Sequence, residues 1–180
     1  ADITLSDTEP WTSINGYTGS FDGGNHTISG LNKPLFGITK AAAIKNVHLA
    51  NVNIPGATIR DEVFAGYTIG SATIRANGAL ARIIDNTSAV VENCSADGTI
   101  NIALVIDGYD STAKTEYYFA SLIGYSTSTQ EFSDLTSCIE LSIVDPTAHN
   151  TIRYVAGIVS YHAGSLNAAK HLGRIISDTG

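Results

Sequence analysis

The sequence predicts an all-β protein and, within that class, a parallel β-helix, which is a single-stranded solenoid with irregular loop insertions. Three observations predict it. Short runs of β-branched and aromatic residues dominate the chain. Tight-turn dipeptides separate these runs, and two kinds of segment recur at intervals of 33 to 47 residues.

The composition limits what the chain can bind. Its 180 residues suffice for one domain with a sizeable core, and only 15% of them are charged. The net charge of −7 argues against nucleic acid or an anionic membrane as a partner, since both attract clustered Lys and Arg. No apolar run reaches the roughly 18 residues of a membrane helix, so we expect no membrane insertion by this segment. The absence of methionine indicates a piece of a longer chain.

Five runs have the residue types of strands. Asn-Gly and Asp-Gly dipeptides lie between them and supply the positive φ angles of tight turns at little steric cost. Two or three short helical turns are expected near 57–65 and 165–171, but no stretch has the spacing of a long amphipathic helix. The strand runs are "ITL" at 3–5, "HTISGL" at 26–31, "IKNVHLANVNI" at 44–54, "TINIALVI" at 99–106 and "CIELSIV" at 138–144.

The first recurring segment carries apolar residues between two tyrosines. "YFASLIGY" at 118–125 matches "YVAGIVSY" at 154–161 in the character of every position, at an offset of 36 residues. A looser copy, "ALARIIDN" at 79–86, aligns at an offset of 39, and "PLFGI" at 34–38 is a fainter member.

The second recurring segment follows each copy of the first. Its copies align on Val47, Cys94, Cys138 and His171, at separations of 47, 44 and 33 residues. Stacked coils tolerate such drift, because loops bulge outward without disturbing the strands. A sandwich or barrel of hairpins is the alternative, but it does not favour repeats at matching intervals.

The repeats define one domain, 1–180, with an N-terminal coil and cap at 1–33 and about four degenerate repeats at 34–180. An open β-helix leaves apolar side chains and strand edges uncovered at each end. "ITLSDTEPWTSI" can cover the first coil. Nothing after Ile176 resembles a cover, so we expect further repeats after Gly180.

The segment "WTSI…YTGSFDGGNHTISGL…PLFG…IKNVHL" at 11–49 resembles the opening coils of bacterial surface proteins with GLUG-type repeats. The resemblance covers most of the chain except 55–77 and 103–116, which are interpreted as insertions. It implies a right-handed parallel β-helix of the pectate-lyase-like kind, as found in adhesins, in secreted proteins and in non-catalytic regions of immunoglobulin A-specific metallopeptidases. It implies an extracellular, secreted or cell-surface stalk or binding module, and no active-site motif comes with it.

The glycine-rich stretch "FDGGNHTISGL" at 21–31 is interpreted in terms of geometry. Phe21 and Ile28 are expected to face inward, with 22–25 forming the corner between two faces. A phosphate loop would require a GxxxxGK or GxGxxG pattern after a strand, and the sequence has neither.

Four tyrosines are the candidate binding residues: Tyr118, Tyr125, Tyr154 and Tyr161. Because alternate strand residues face opposite sides, Tyr118 and Tyr125 share a side only if the chain bends between them. With such a bend, Tyr118 over Tyr154 and Tyr125 over Tyr161 would form flat aromatic ladders able to hold sugar rings or a partner surface. The competing interpretation is that the stacked rings only stabilise the coil.

Other reactive residues are given structural interpretations. Cys94 and Cys138 are expected at one position of adjacent coils, as buried thiols, although their spacing would also permit a disulfide. The five histidines lack metal-binding spacing, so no metal or cofactor is expected. Asp107, Asp110 and Glu116 form the nearest acidic cluster, which suits a solvated loop better than a glycosidase pair or a calcium site. Ser160 lacks the G-x-S-x-G context of a nucleophile.

The sequence thus favours a non-catalytic module, with a glycan, a host or extracellular protein, or the remainder of its own chain as partner. The alternative is a carbohydrate-active lyase or hydrolase whose cleft is built from the two insertions.

Overall fold

The computed structural model describes residues 1–6, 10–57, 67–69, 72–103, 115–144 and 152–178. Over these residues the predicted all-β class with parallel pairing is confirmed, since every element is a strand and only the pair β5–β6 is antiparallel. The strands are β1 (Ile3–Thr4), β2 (Ser20–Ser29), β3 (Phe36–Thr39), β4 (Ala43–Ala57), β5 (Tyr67–Ile69), β6 (Ala72–Asn77), β7 (Ala81–Ile84), β8 (Val90–Ala103), β9 (Thr115–Ala120), β10 (Ile123–Ser126), β11 (Phe132–Val144), β12 (Ile152–Ala156), β13 (Val159–His162), β14 (Leu166–Asn167), β15 (Lys170–His171) and β16 (Ile175–Asp178).

The helical turn expected near 165–171 is wrong, because β14 and β15 occupy this segment and pair with β11. The other expected turn, at 57–65, follows the end of β4, and apart from residue 57 it lies outside the described residues. In the part of the chain that the structure describes, no helix is long and apolar enough to cross a membrane.

The strands form three sheets, which we call A, B and C. Sheet A has the order β1-β2-β4-β8-β11-β14, with β15 and β16 also paired to β11. Sheet B has the order β3-β7-β10-β13, and sheet C the order β5-β6-β9-β12. Two strands that are neighbours within a sheet are therefore usually not consecutive in the sequence, because strands of the other sheets lie between them along the chain.

From residue 72 onward the chain visits the sheets in the fixed order C, B, A. We call each passage a rung: the first spans 72–103, the second 115–144 and the third 152–178. Earlier in the chain, β3 and β4 extend sheets B and A, whereas β5 closes sheet C by pairing antiparallel to β6. Because β6 belongs to the first rung, the segment interpreted as an insertion at 55–77 is in part a strand of the stack.

The predicted offset of 36 residues between the two tyrosine-bounded segments is confirmed by the register of β9 on β12 and of β10 on β13. Tyr118 lies beside Tyr154 in sheet C, and Tyr125 lies beside Tyr161 in sheet B. The offset of 39 assigned to the earlier copy is wrong, because Ala81 lies beside Ile123, an offset of 42. The similarity of small and apolar residues in the two segments suggested an alignment of 79–86 with 118–125 that is three residues out of register.

In sheet A, the predicted pairing of Val47 with Cys94 is confirmed. The alignment of Cys94 with Cys138 is wrong, since Leu135 lies opposite Cys94 and Cys138 lies opposite Asp97. His171 is likewise displaced, lying opposite Ser137. The buried aliphatic side chain of Leu135, rather than a second cysteine, continues the ladder at this position.

The glycine-rich stretch at 21–31 runs through β2, and Phe21 and Ile28 pack against the core as predicted. Gly24 and Asn25 have left-handed φ angles of 60° and 59°. The register of β2 on β4 shifts at this point. These residues bend the strand, so the glycines have the geometric role expected of them.

The main hydrophobic core draws side chains from all three sheets, with Leu5, Trp11 and Ile14 packed against it near the N-terminus. The Trp11 backbone N–H donates to Asn32 Oδ1 at 2.9 Å, which fixes this segment against the stack. A second, smaller cluster draws only on sheets B and C. Its buried members are Ile74, Ala76, Ile83, Tyr118 and Tyr125.

Candidate functional site

The four candidate tyrosines come together in one aromatic cluster where sheets B and C meet. Tyr118 stacks on Tyr154 with ring centroids 4.6 Å apart and planes 12° apart. Tyr125 stacks on Tyr161 at 4.6 Å and 9°. The chain bends after β9, so Tyr118 and Tyr125 face each other edge to face at 4.9 Å and 72°. The cluster therefore consists of two stacked pairs set at a steep angle, rather than one flat face.

The four rings differ sharply in exposure. Tyr118 and Tyr125 expose only 5% and 7% of their surface and belong to the second hydrophobic cluster, whereas Tyr154 and Tyr161 expose 43% and 42%. The expectation of four outward rings thus applies to the third-rung pair only. Any ligand of this surface would touch Tyr154 and Tyr161, with the other two rings supporting them from below.

The ionisation of the buried tyrosines is suppressed by their surroundings. Burial, a hydrogen bond to the Glu116 carboxylate at 2.5 Å and the charge of that carboxylate raise the pKa of Tyr118. Burial is also the largest cause of the raised pKa of Tyr125. At the N-terminal side of the cluster, burial and a hydrogen bond to Asp85 raise the pKa of Tyr67 to about 12. These raised pKa values favour the neutral form of Tyr67, Tyr118 and Tyr125.

The acidic and hydroxyl groups considered for catalysis are engaged in structural contacts where they are described. Glu116 accepts the hydrogen bond of Tyr118, and Ser160 Oγ donates to the Tyr154 carbonyl at 2.9 Å. Asp107 and Asp110, the other members of the predicted acidic cluster, lie outside the described residues.

The two cysteines are both free thiols. Cys94 is buried, and its burial raises the pKa of its thiol to about 12. Cys138 is exposed, which corrects the prediction that both thiols are buried. The reason is the register: Cys138 lies three residues beyond the position opposite Cys94, on the other side of the sheet.

The described histidines occupy separate places. His48 Nδ1 lies 2.8 Å from Ser95 Oγ, and the ring of His162 stacks on Phe132 at 3.9 Å. His171 lies on β15 in the third rung. Within the described ranges, no group of three or more His, Cys, Asp or Glu side chains is placed to hold a metal ion.

Two features escaped the sequence reasoning. One is a column of left-handed residues across sheet A: Asn25, Asn46, Asn93 and Asp134 lie in successive strands, and Ala168 lies between β14 and β15. Only β4 and β8 carry an Asn three residues after their start. Because the spacing and the residue type differ in the other members, the column becomes visible only once the register is known. The other feature is an exposed apolar edge along the third rung.

The fold and the candidate site define the class: an all-β protein of parallel strands, with an aromatic cluster where two sheets meet. Over 90% of its length, the chain is similar to part of the immunoglobulin A1 protease of Streptococcus sanguinis, at 28% identity over 182 residues. It is also 28% identical over 178 residues to the immunoglobulin A1 protease of Streptococcus pneumoniae serotype 4 (strain ATCC BAA-334 / TIGR4). The match spans 9% of the length of each of these relatives. No protein-family model matches the chain, and no solved structure matches it.

Proposed function

We propose that this chain is a non-catalytic module of a larger bacterial surface or secreted protein, and that its three sheets form a right-handed parallel β-helix serving as an extracellular stalk. The observation that carries the proposal is the repeated parallel register of consecutive rungs. Phe119 lies beside Val155, Ala120 beside Ala156, and Ile123 beside both Ala81 and Val159. A protein built from rungs that each contact only their neighbours is extended by adding rungs, as a stalk requires.

The similarity to a small part of two much longer bacterial proteins supports a modular role. Extracellular location is part of the proposal, and it follows from the resemblance to surface proteins. The proposed module has no catalytic activity, because the reactive groups described at the candidate site have structural partners. Glu116 holds Tyr118 and Ser160 holds the backbone of Tyr154.

A binding role is the second candidate, and one observation favours it. Tyr154 and Tyr161 present exposed rings that are held rigidly by stacking on buried rings. Aromatic faces of this kind offer large contact area at low entropic cost to a sugar ring or a host protein. On this hypothesis the stalk would also be adhesive, with these two rings as the contact.

The purified chain tests both candidates. We expect no release of reducing ends or unsaturated products from pectin, mucin or host glycans, because the module contributes no catalytic group. Turnover that disappears in Glu116→Gln would instead establish the enzyme alternative. A glycan array decides the binding role: signals lost in a Tyr154→Ser/Tyr161→Ser double variant support it, and signals that persist in that variant exclude these rings as the site.

A further inference from the structure

The third rung exposes several positions that the second rung buries. Phe119, Phe132 and Leu141 of the second rung are each 0% exposed. Their register partners in the third rung are Val155, Leu166 and Ile175, which are 39%, 44% and 45% exposed. The two pairs of tyrosines follow the same rule. At these positions exposure differs between the two rungs, whereas Ile158 and Val159 of the third rung stay buried.

Along the outer edge of the third rung, exposed apolar side chains lie beside strand edges that have no neighbouring strand in the described structure. Strands β12, β13 and β14 are the last members of sheets C, B and A in the described structure. Leu172, which follows β15, is the most exposed large hydrophobic side chain described, at 69%. A row of free backbone groups beside exposed aliphatics is a surface on which another strand can pair.

The opposite end of the stack is closed in a different way. In sheet C, β5 pairs antiparallel to β6 and so blocks parallel addition there. In sheet A, the two-residue strand β1 pairs with β2, and the Leu5 and Trp11 side chains pack against the adjoining core. In sheet B, Ile14 bridges Phe36 of β3 in parallel. Among the described residues, β6, the end of β2 and Phe36 are therefore already paired at the edge that a second copy would have to offer head to tail.

We infer that the exposed edge of the third rung is a docking surface for a further rung of the same kind, carried by the same polypeptide. Its strands would pair in parallel with β12, β13 and β14–β16, with apolar side chains over Val155, Leu166 and Ile175 and flat or aliphatic ones over Tyr154 and Tyr161. The inference rests on the proposed stalk function, since it requires the chain to be one module of a longer stack. A sugar at the tyrosines would leave the sheet A side chains Leu166, Leu172 and Ile175 uncovered, so the coil is the occupant that fits the whole edge.

The test adds a rung to the chain. A second copy of residues 145–178 is appended after Asp178, and a scrambled sequence of the same composition is the control. In a Cys138→Ser background, Tyr161→Cys reports on the edge through its rate of maleimide labelling, and Thr68→Cys on the exposed face of β5 is the reference position. We expect the appended rung to slow labelling at position 161 by about tenfold or more, with no change at position 68 and no slowing by the scrambled sequence.

Hydrogen exchange of β12 and β13 in chains without the cysteine substitutions provides a second readout, should Tyr161→Cys disturb the fold. Equal labelling and exchange with and without the appended rung would overturn the inference. So would protection of position 161 that grows with the concentration of the unextended chain, which would make a second copy the occupant, or protection by a soluble glycan. Glycan turnover by the unextended chain would refute the proposed function while leaving these rates unaffected, so the two failures are distinguishable.

Discussion

At the scale of single residues, the left-handed column in sheet A shows how side chains adapt to one backbone position. Asn25, Asn46 and Asn93 have φ angles of 59°, 53° and 50°, and Asn93 Nδ2 donates to Asn25 Oδ1 at 3.0 Å and to Asn46 Oδ1 at 2.8 Å. Asn tolerates this conformation better than other residues with a Cβ, because its short amide bonds locally. In the third rung the same position holds Ala168, with a φ of 51° and no amide.

We therefore expect Ala168→Asn to stabilise the protein, by about 1 kcal/mol, because it relieves the left-handed strain of alanine. Urea unfolding of the two chains measures the difference in the free energy of unfolding. The matched control is Asn93→Ala, which introduces that strain in the first rung, removes two amide hydrogen bonds, and should destabilise by about 1–3 kcal/mol. A destabilising Ala168→Asn would contradict the assigned backbone conformation.

The buried tyrosines and Cys94 predict a loss of stability at alkaline pH. Burial raises the pKa values of Tyr67 and Cys94 to about 12, and the pKa values of Tyr118 and Tyr125 also rise. Above the ordinary values of roughly 8.5 for Cys and 10 for Tyr, the unfolded chain loses protons that the folded chain keeps. The free energy of unfolding should be fully retained below about pH 8 and fall as the pH rises from there toward 12.

Urea unfolding between pH 8 and pH 11 checks this slope, and Tyr118→Phe should make it shallower by removing one titrating group. Measurements of Tyr118→Phe at pH 7 separate the lost hydrogen bond to Glu116, worth about 1–3 kcal/mol, from the titration itself. Identical slopes in the two proteins would show that Tyr118 titrates alike in the folded and unfolded chains.

At the scale of strands, one glycine marks a close approach between two neighbouring strands of sheet A. Gly98 in β8 has a φ of 121°, and a Cβ at this position would collide with the Val52 carbonyl oxygen in β4. Gly56, at the far end of β4, has no such angle, and its nearest potential contact is Ala103 Cβ at 3.7 Å. The two glycines therefore have different roles in similar strands.

Gly98→Ala should destabilise the protein by about 2 kcal/mol or more, because the strained backbone and the collision act together. Gly56→Ala, the matched control, should change the free energy of unfolding by no more than about 0.5 kcal/mol. Thermal and urea unfolding of both variants give the comparison. Equal effects would mean that β4 and β8 are farther apart at this position than the structure places them.

The sequence predicted most strands, because β-branched runs between turn dipeptides leave few alternatives. It predicted register where two rungs resemble each other closely, as at Tyr118 and Tyr154, and at the single pair Val47 and Cys94. Elsewhere, identical residue types gave a wrong alignment. Cys138 was aligned with Cys94, although the buried side chain opposite Cys94 is that of Leu135. A ladder conserves volume and burial rather than residue identity, so one sequence does not determine its register. The same limit hid the left-handed column. The exposure difference among the four tyrosines has another cause, since Tyr154 and Tyr161 lie on the last described strands of their sheets.

At the scale of the whole molecule, an asymmetric stack predicts a gradient of local stability. The first and second rungs are covered on both sides, whereas the third exposes Val155, Leu166 and Leu172. Backbone amides in β12–β16 should therefore exchange with deuterium faster than those in β7, β8 and β10. Exchange followed by mass spectrometry resolves these segments, and a uniform rate across all rungs would argue against rung-by-rung stacking.

The proposed stalk depends on successive rungs that lie side by side and run in the same direction. Solution NMR of the labelled chain, which at 18.9 kDa is within reach of the method, measures this through contacts between backbone protons of neighbouring strands. Parallel stacking predicts parallel-type cross-peaks linking Phe119 with Val155 and Ile123 with both Ala81 and Val159. Cross-peaks of an antiparallel pattern at these residues, or contacts that pair them with other segments, would contradict it.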